Sequence, residues 1–404
     1  MYDVVRPDEI YPMFNLLDSN KNANILLAGI LSLFIGVGVA RFAFTTMLPP
    51  MLEDFLSVTN AGLFASINYV GYLSGAVFSI FIKDVNTKVK YFRLGLALSV
   101  LTTLILATST NEALWFISRI VAGFGSAMVL IVGGALVMVK LNLADKTKAM
   151  GIHFSGIGFS VALSELIAQY VLQDGAWPDA WMALALSAFV LSFYCIHILS
   201  FDKEQEAHKV QHTLSRDIFS PYVLLLIAAY FTAGVTMVVQ SSFFPDIINS
   251  LAGLEGSGSL GWLLVGLAGI PSAIIWMRLA YRYGSVNMII LAFVLQIIGI
   301  LIPVLSNDLG LNLLSGVLFG STFIGHVALF MHYGGKLAGA NPVVLMGAMT
   351  SAYGVGQVSA PLYSVSLHAH FSSYNPALLV TATIAVFGVV LLLIAKKIHH
   401  HYES

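Results

Sequence analysis

The amino-acid sequence predicts an all-α integral membrane protein with twelve transmembrane helices in two pseudo-symmetric six-helix bundles. The 404-residue chain is 58% hydrophobic and 10% charged, whereas soluble domains carry about 25% charged residues. Apolar stretches of about 20 residues, each long enough to cross a bilayer as a helix, recur along the whole chain. The first half of the chain also repeats in the second. These observations exclude a soluble protein, and the unbroken apolar stretches exclude the alternating strands of a membrane β-barrel.

Twelve segments are predicted to span the membrane. In chain order they are 24–50, 60–82, 92–110, 113–139, 148–172, 180–200, 219–245, 260–281, 285–305, 310–334, 343–369 and 375–396. The polar linker 201–218 separates an N-terminal bundle, 24–200, from a C-terminal bundle, 219–397. Residues 1–23 and 398–404 are predicted to be cytoplasmic tails.

The basic residues are segregated to one side of the predicted membrane. When alternate connections are assigned to alternate sides, every Lys and Arg except Arg41 and Arg119 falls on one side. The opposite connections carry acids and no cation. The positive-inside rule therefore places both termini in the cytoplasm. The net charge of −1 argues against a nucleic-acid partner.

The internal repeat has an offset of 195–198 residues. The matching pieces are Gly38-Val39 with Gly234-Val235, Phe124-Gly125-Ser126 with Phe319-Gly320-Ser321, and Gly156-Ile157-Gly158 with Gly354-Val355-Gly356. Two six-helix units in the same orientation are related by an axis along the membrane normal. A binding site is then expected near the midplane, between the halves.

Arg41 and Arg119 are cations inside apolar segments, where a charge costs at least about 2.5–3.5 kcal/mol. Arg41 has Thr45 one turn further along the same helix face. We interpret Arg41 as a clamp for an anion, because a guanidinium matches a carboxylate or phosphate; the alternative is a structural ion pair. For Arg119, the alternative to a functional role is a side chain that extends outward to the membrane surface.

Glu165 is the only acid well inside an apolar segment, so it cannot neutralise both arginines. Burial favours a neutral carboxyl group and a neighbouring arginine favours a charged one, so Glu165 can take up and release protons during a cycle. The alternatives are a static partner for one arginine or a substrate contact. His153 is either a proton relay or an ordinary buried side chain. His326 is either a proton relay, a residue of the substrate-binding site or an ordinary buried side chain.

Further polar side chains inside the predicted spans are expected to line a cavity. They are Asn68, Tyr69, Tyr72, Tyr230, Gln240, Gln296, Tyr353 and Gln357, and each of them alone is also explained by an interhelical hydrogen bond. The chain has no Walker loop and no nucleophile elbow, so neither an ATP-driven pump nor an enzyme is predicted. No cofactor and no metal site are predicted either.

Several motifs resemble the major facilitator superfamily over nearly the full length of the chain. RIVAGFGSA in the fourth span fits the family's pattern of Arg, Gly, Gly and Ala. GVGVARFAFTTMLPPML, GLAGIPSAIIWMRLAYRYG, LFGSTFIGH and AYGVGQVSAP resemble the bacterial YbfB/YjiJ-like branch. The resemblance implies alternating access, a bacterial inner-membrane location and a role for Arg119 in proton coupling. The fifth span lacks the proline typical of drug antiporters.

The sequence therefore predicts a secondary active transporter for a small organic anion, either a carboxylate or a carboxylate-rich metallophore such as a siderophore. Protons are the expected driving ions, with Glu165 and Arg119 as the coupling pair and Arg41 holding the substrate. The alternatives are a proton-driven exporter of drugs or metabolites and a non-transporting membrane receptor. A monomer is expected, because one chain of this architecture holds a complete path.

Overall fold

The computed structural model describes residues 20–142, 147–200, 220–337 and 342–403, and this part of the chain forms twelve long helices without strands. They are α1 (Lys21–Asp54), α2 (Val58–Ser79), α3 (Val85–Thr108), α4 (Glu112–Lys140), α5 (Thr147–Leu172), α6 (Trp177–Leu199), α7 (Pro221–Asn249), α8 (Gly258–Tyr283), α9 (Ser285–Leu305), α10 (Leu309–Leu337), α11 (Pro342–Phe371) and α12 (Asn375–Glu403). The predicted N-terminal tail, apart from its last residues, and the predicted linker lie outside the described residues.

Eleven of the described helices are long and apolar enough to cross a membrane. The remaining one, α11, has 30 residues and is also long enough. The predicted all-helical membrane fold is therefore confirmed. The helices extend beyond several predicted spans, because a helix continues past the apolar residues that mark its span in the sequence.

Short connections with side-chain caps join consecutive helices. Ser57 accepts a hydrogen bond from the amide of Asn60 at the start of α2, and Asp84 accepts one from Thr87 at the start of α3. Such caps satisfy amide groups that have no partner within the helix. Long helices that are joined by only a few residues run in opposite directions, so consecutive helices reverse direction across the bundle. We call the end with Lys83, Lys88 and Lys336 the basic end, and the opposite end the acidic end.

The two halves contact each other mainly along three helix pairs: α5 with α8, α2 with α11, and α1 with α7. Glycines allow the closest of these approaches. A Cβ atom on Gly158 of α5 would lie 2.4 Å from the carbonyl carbon of Gly269 in α8, and one on Gly266 would lie 2.4 Å from the amide nitrogen of Ala162. Direct contact between backbones is typical of membrane helices that carry small residues.

The α1–α7 contact follows the internal repeat. The hydroxyl of Thr45 donates to the carbonyl oxygen of Ser241 at 2.5 Å, and the two residues are 196 positions apart in the chain. This separation lies within the offset of 195–198 residues between the two copies of the internal repeat. Corresponding positions of the two halves therefore meet in the middle of the molecule.

Both α1 and α4 depart from regular α-helical geometry where they pack together. Residues Phe34–Phe42 of α1 and Met128–Val132 of α4 are π-helical. A Cβ atom on Gly36 would lie 2.6 Å from the side chain of Val129, so the two segments are in direct contact. Such segments are rare and frequently occur at functional sites. Arg41 lies at the end of the first one.

Candidate functional site

A small cavity lies in the interior, between α1, α2 and α4 of the first half and α7 of the second. Its volume is about 10 Å³, which is room for about one water molecule. Its lining residues are Arg41, Phe42, Phe44, Thr45, Ala65, Asn68, Tyr69, Arg119, Ser241 and Ser242. Both arginines singled out in the sequence therefore face the same cavity, which we call the central cavity.

Arg41 is held by aromatic rings. Its side chain is 7% exposed, and its guanidinium carbon lies 4.6 Å from the ring centre of Tyr69 and 4.5 Å from that of Tyr72. The negative face of an aromatic ring attracts a cation, so the rings partly compensate for its burial. The Nε and Nη2 groups have no hydrogen-bond partner in the protein. Arg41 thus keeps two donors for another group.

Arg119 is anchored more firmly than Arg41. It is 2% exposed, its Nη1 donates to the carbonyl oxygen of Ala40 at 3.0 Å, and its guanidinium carbon lies 4.6 Å from the ring centre of Phe44. Its Nε group has no partner. The side chain lies inside the bundle and does not extend outward to the membrane surface. Arg119 and Arg41 are close enough to repel each other.

Glu165 does not neutralise either arginine in this structure. It is 1% exposed, and neither carboxylate oxygen has a hydrogen-bond partner. The polar side chains of Thr46 and Gln169 lie close to the carboxyl group without completing a hydrogen bond. Of the three interpretations of Glu165, a static partner for one arginine is therefore not seen in this structure. Glu165 lies near Thr46, whereas Arg41 lies with Thr45 at the central cavity. Adjacent residues of a helix point to different sides, so the carboxyl group and the guanidinium group do not meet.

A larger cavity lies at the acidic end, and we call it the vestibule. Its volume is about 550 Å³. It is lined by Thr46, Pro49, Pro50, Glu53, Asp54, Gln169, Leu172, Gly175, Ala176, Trp177, Pro178, Pro245, Asn249, Gly256 and Ser259. Gln169 lies one helical turn beyond Glu165, so the buried carboxyl group is placed directly below this cavity. Glu165 itself is buried and does not line the vestibule, whereas Thr46 and Gln169 do.

The two predicted histidines lie away from both cavities. His153 is buried where α5 packs against α1 and α4, and a Cβ atom on Gly29 would lie 2.6 Å from its Nδ1. Neither ring nitrogen of His153 has a partner. His326 packs against Phe293, with 4.3 Å between ring centres, inside the second half. His326 therefore faces α9 and does not line the central cavity in this conformation, and its predicted role in binding stays a prediction.

Two of the predicted residues from the second half, Tyr230 and Tyr353, form an aromatic stack on the side of Arg41. The ring of Tyr230 stacks on that of Tyr353 at 4.5 Å, and Tyr353 is close enough to Arg41 to interact electrostatically. The hydroxyl of Tyr353 and the amide of Gln357 both donate to the sulfur of Met237, at 3.0 and 3.1 Å. Sulfur is a weak acceptor, so these donors are only partly satisfied.

Gln240, by contrast, faces the interior of the second half. Its amide nitrogen lies 3.4 Å from the hydroxyl of Ser315 and 3.5 Å from the carbonyl oxygen of Gly299. It does not line the central cavity in this conformation, and its predicted role in binding stays a prediction. The periodicity of the sequence shows which residues share a face of α7, but it does not show which other helices pack against that face.

Sequence reasoning missed Ser241 and Ser242 as lining residues. Ser241 also bonds to the hydroxyl of Tyr69, with 3.0 Å between the oxygens. A signal for Ser241 was present, because adding the repeat offset of 196 to Thr45 gives this position. Nothing comparable marks Ser242, which is an ordinary small polar residue in an apolar helix.

Comparison with known proteins agrees with this architecture. A family profile described as "Uncharacterised MFS-type transporter YbfB" matches residues 33–393. The chain belongs to this family of major facilitator transporters. It is therefore a multi-pass membrane protein that carries a small-molecule substrate by secondary transport, and it is not an enzyme.

No curated protein matches the chain. A crystal structure of a mutant of the nucleoside transporter NupG has a TM-score of 0.71 and 13% sequence identity, covering 92% of this chain and 99% of that one. At this identity the similarity concerns the fold alone. The predicted resemblance, fold class and absence of enzyme activity are confirmed.

Proposed function

We propose that this transporter carries a small organic anion, bound by Arg41 with Arg119 beside it. The observation that supports this proposal most directly is the pair of buried guanidinium groups at one cavity, with three donor nitrogens that have no partner in the protein. A buried charge without a partner is expensive. An anionic substrate would supply both the missing charge and the missing acceptors.

The closed state of the central cavity fits a carrier rather than a channel. Its volume of about 10 Å³ is too small for an organic molecule, so the two halves have to separate on one side for binding. The site lies between halves related by the internal repeat, where this fold binds its substrates near the midplane. Alternating access of the two halves follows from this arrangement. A carboxylate is the substrate class that we favour.

Proton coupling is the second part of the proposal. Glu165 has no partner in the protein and lies below the vestibule, with Thr46 and Gln169 between it and the larger cavity. Uptake of a proton from the vestibule would neutralise it, and release would recharge it. We further propose a bacterial inner-membrane location, cytoplasmic termini at the basic end, and a monomeric carrier.

The test is transport by the purified full-length protein in proteoliposomes, with and without a pH gradient. The probes are radiolabelled mono-, di- and tricarboxylates, their neutral amides, and a neutral nucleoside. We expect uptake of one or more carboxylates and none of the amides. Arg41→Gln should abolish that uptake, while Arg282→Gln, at the exposed basic end, should leave it unchanged.

The same assay separates this proposal from the alternatives. Transport of neutral or cationic aromatic compounds out of cells, unaffected by Arg41→Gln, would instead support the exporter. Saturable binding without flux would support a receptor. Either result overturns the anion carrier.

A further inference from the structure

We propose that the transported anion carries a hydroxyl group next to its carboxylate, and that Asn68 recognises this hydroxyl. The inference rests on the proposed function, since it concerns the same central cavity. It narrows the substrate class from carboxylates in general to hydroxycarboxylates. The side-chain amide of Asn68 is buried, with its nitrogen hydrogen-bonded and its oxygen unpaired.

The orientation of the Asn68 side chain is fixed. It is 1% exposed, and its Nδ2 donates to the carbonyl oxygen of Arg119 at 2.9 Å. A carbonyl oxygen only accepts, so the amide nitrogen has to be on this side. The Oδ1 atom is then on the other edge of the amide, and it is buried without a hydrogen-bond partner. Asn68 lines the central cavity with Arg41 and Arg119.

The backbone around Asn68 leaves little room for adjustment. A Cβ atom on Gly123 of α4 would lie 2.0 Å from the carbonyl oxygen of Asn68, and one on Gly71 would lie 2.0 Å from that of Ile120. The backbones of α2 and α4 are therefore in direct contact at this residue and one turn further along α2. The position of the Oδ1 acceptor relative to Arg119 is set by this contact.

The cavity thus presents donors and one acceptor that the protein itself leaves unpaired. The guanidinium N–H groups require an acceptor, which a carboxylate supplies. The Oδ1 atom requires a donor, which a plain carboxylate lacks. A ligand that satisfies both kinds of group has an O–H or N–H donor close to its carboxylate. Groups left unpaired in a buried site discriminate strongly against ligands that lack the matching partner.

A hydroxyl fits this position better than an ammonium group does. The donor would lie beside two buried arginines, and like charges at close range repel strongly where water is excluded. The side of the cavity formed by the second half adds no negative charge to offset this repulsion, since it consists of Ser241 and Ser242. A neutral donor avoids the repulsion, so hydroxy acids are favoured over amino acids.

The test measures binding of matched pairs of ligands to the purified full-length protein by isothermal titration calorimetry. The pairs are lactate with propanoate and malate with succinate, each differing by one hydroxyl, and alanine serves as the ammonium analogue of lactate. We expect the hydroxylated member to bind about 5-fold to 150-fold more tightly, since an unsatisfied buried acceptor costs about 1–3 kcal/mol. Alanine should bind more weakly than lactate.

Asn68→Leu and Asn68→Ala should bring the ratio of the two affinities close to one. Both ligands of a pair are measured on the same variant, so a smaller fraction of folded protein does not change the ratio of their affinities. The matched control is Asn312→Leu. Asn312 is also a buried asparagine whose Nδ2 donates to backbone carbonyls and whose Oδ1 has no partner, but it does not line the central cavity. This variant should keep the wild-type ratio.

The outcomes separate this inference from the proposed function. If carboxylates bind in an Arg41-dependent way but the hydroxyl makes no difference, the inference is wrong and the anion carrier stands. If alanine binds more tightly than lactate, the donor is an ammonium group and the inference is also wrong. If no carboxylate of the panel binds, both proposals fail.

Discussion

Substitution of Gly158 by alanine is expected to disfavour the conformation in which the two halves touch. Gly158 lies where α5 meets α8, and an added Cβ atom would be 2.4 Å from both the carbonyl carbon of Gly269 and the amide nitrogen of Ile270. These neighbours are backbone atoms, so they cannot rotate away as a flexible side chain would. The two helices have to move apart until the contact reaches at least 3.4 Å.

The size of the effect follows from the cost of overpacking. Adding a methyl group to a well-packed interior costs about 1–3 kcal/mol, and rigid backbone neighbours favour the upper part of this range. The penalty applies only where α5 and α8 are in contact at this position. The population of that state relative to a separated state should therefore fall by about 5-fold to 150-fold.

The assay is a distance measurement between spin labels on α5 and α8. Labels at Tyr170→Cys and Leu260→Cys are suitable, because the native side chains are 77% and 46% exposed and the single native cysteine, Cys195, is buried. The longer distances should gain population in Gly158→Ala. In the control, Gly151→Ala, the added Cβ would be 3.4 Å from the side chain of Ile274, an ordinary contact. Unchanged distances and unchanged thermal stability in Gly158→Ala would refute the reasoning.

Three further predictions concern other parts of the molecule. Glu165→Gln should abolish the stimulation of uptake by a pH gradient but retain exchange of substrate across the membrane, because an amide cannot take up the proton; continued stimulation would contradict the coupling role. Hydrogen bonds from Thr87 hold the pKa of Asp84 below its ordinary value of 3.8, so the charged cap stabilises the fold at neutral pH and this contribution is lost as the pH falls through the lowered pKa. Asp84→Ala should therefore lower the melting temperature at neutral pH and make little difference in strong acid; an equal loss at both would argue against the charged cap. Thr45→Val removes the hydroxyl that bonds to Ser241 and should reduce the free energy of unfolding by about 0.5–1.5 kcal/mol, measured by thermal unfolding in detergent; no loss would show that this contact between the halves does not contribute.

The fold could be predicted from the sequence because the bilayer imposes a simple rule. A helix that crosses hydrocarbon needs a long apolar stretch, and the connections at the basic end carry the lysines and arginines. The repeat then showed that the halves are related. Thr45 and Ser241, which are in contact, occupy corresponding positions of the repeat, although that contact was not predicted. These features depend on local sequence or on a regular offset.

The site was predicted only in part, because side-chain partners depend on the packing of helices that are distant in sequence. Arg41 and Arg119 stood out as charges in apolar segments, and both face the central cavity. Glu165 also stood out, but the sequence could not show that it lies beside Thr46 and not beside an arginine. His326 and Gln240 were chosen for their polarity, and each faces the interior of the second half.

The π-helical segment of α1 had no recognisable signal. Residues Phe34–Phe42 contain two glycines and are otherwise mostly apolar, and regular membrane helices have similar composition. The segment changes the direction in which its own last residues point, and Arg41 is one of them. Helical-wheel reasoning from the sequence assumes a constant period, so it could not give the direction of this side chain. The contacts of Arg41 with Tyr69 and Tyr72 were therefore found only in the structure.

Binding of a carboxylate to wild-type protein and to Arg41→Gln, measured by titration calorimetry, tests the central claim most directly. Each carboxylate is compared with its neutral amide, and Arg282→Gln serves as the control for the loss of one positive charge. We predict that the wild type and Arg282→Gln bind the carboxylate in preference to the amide. In Arg41→Gln the affinity for the carboxylate should fall by about 10-fold to 100-fold, since a hydrogen bond to a charged group contributes about 1.5–3 kcal/mol. Equal affinity of wild type and Arg41→Gln for every carboxylate that binds would contradict the account.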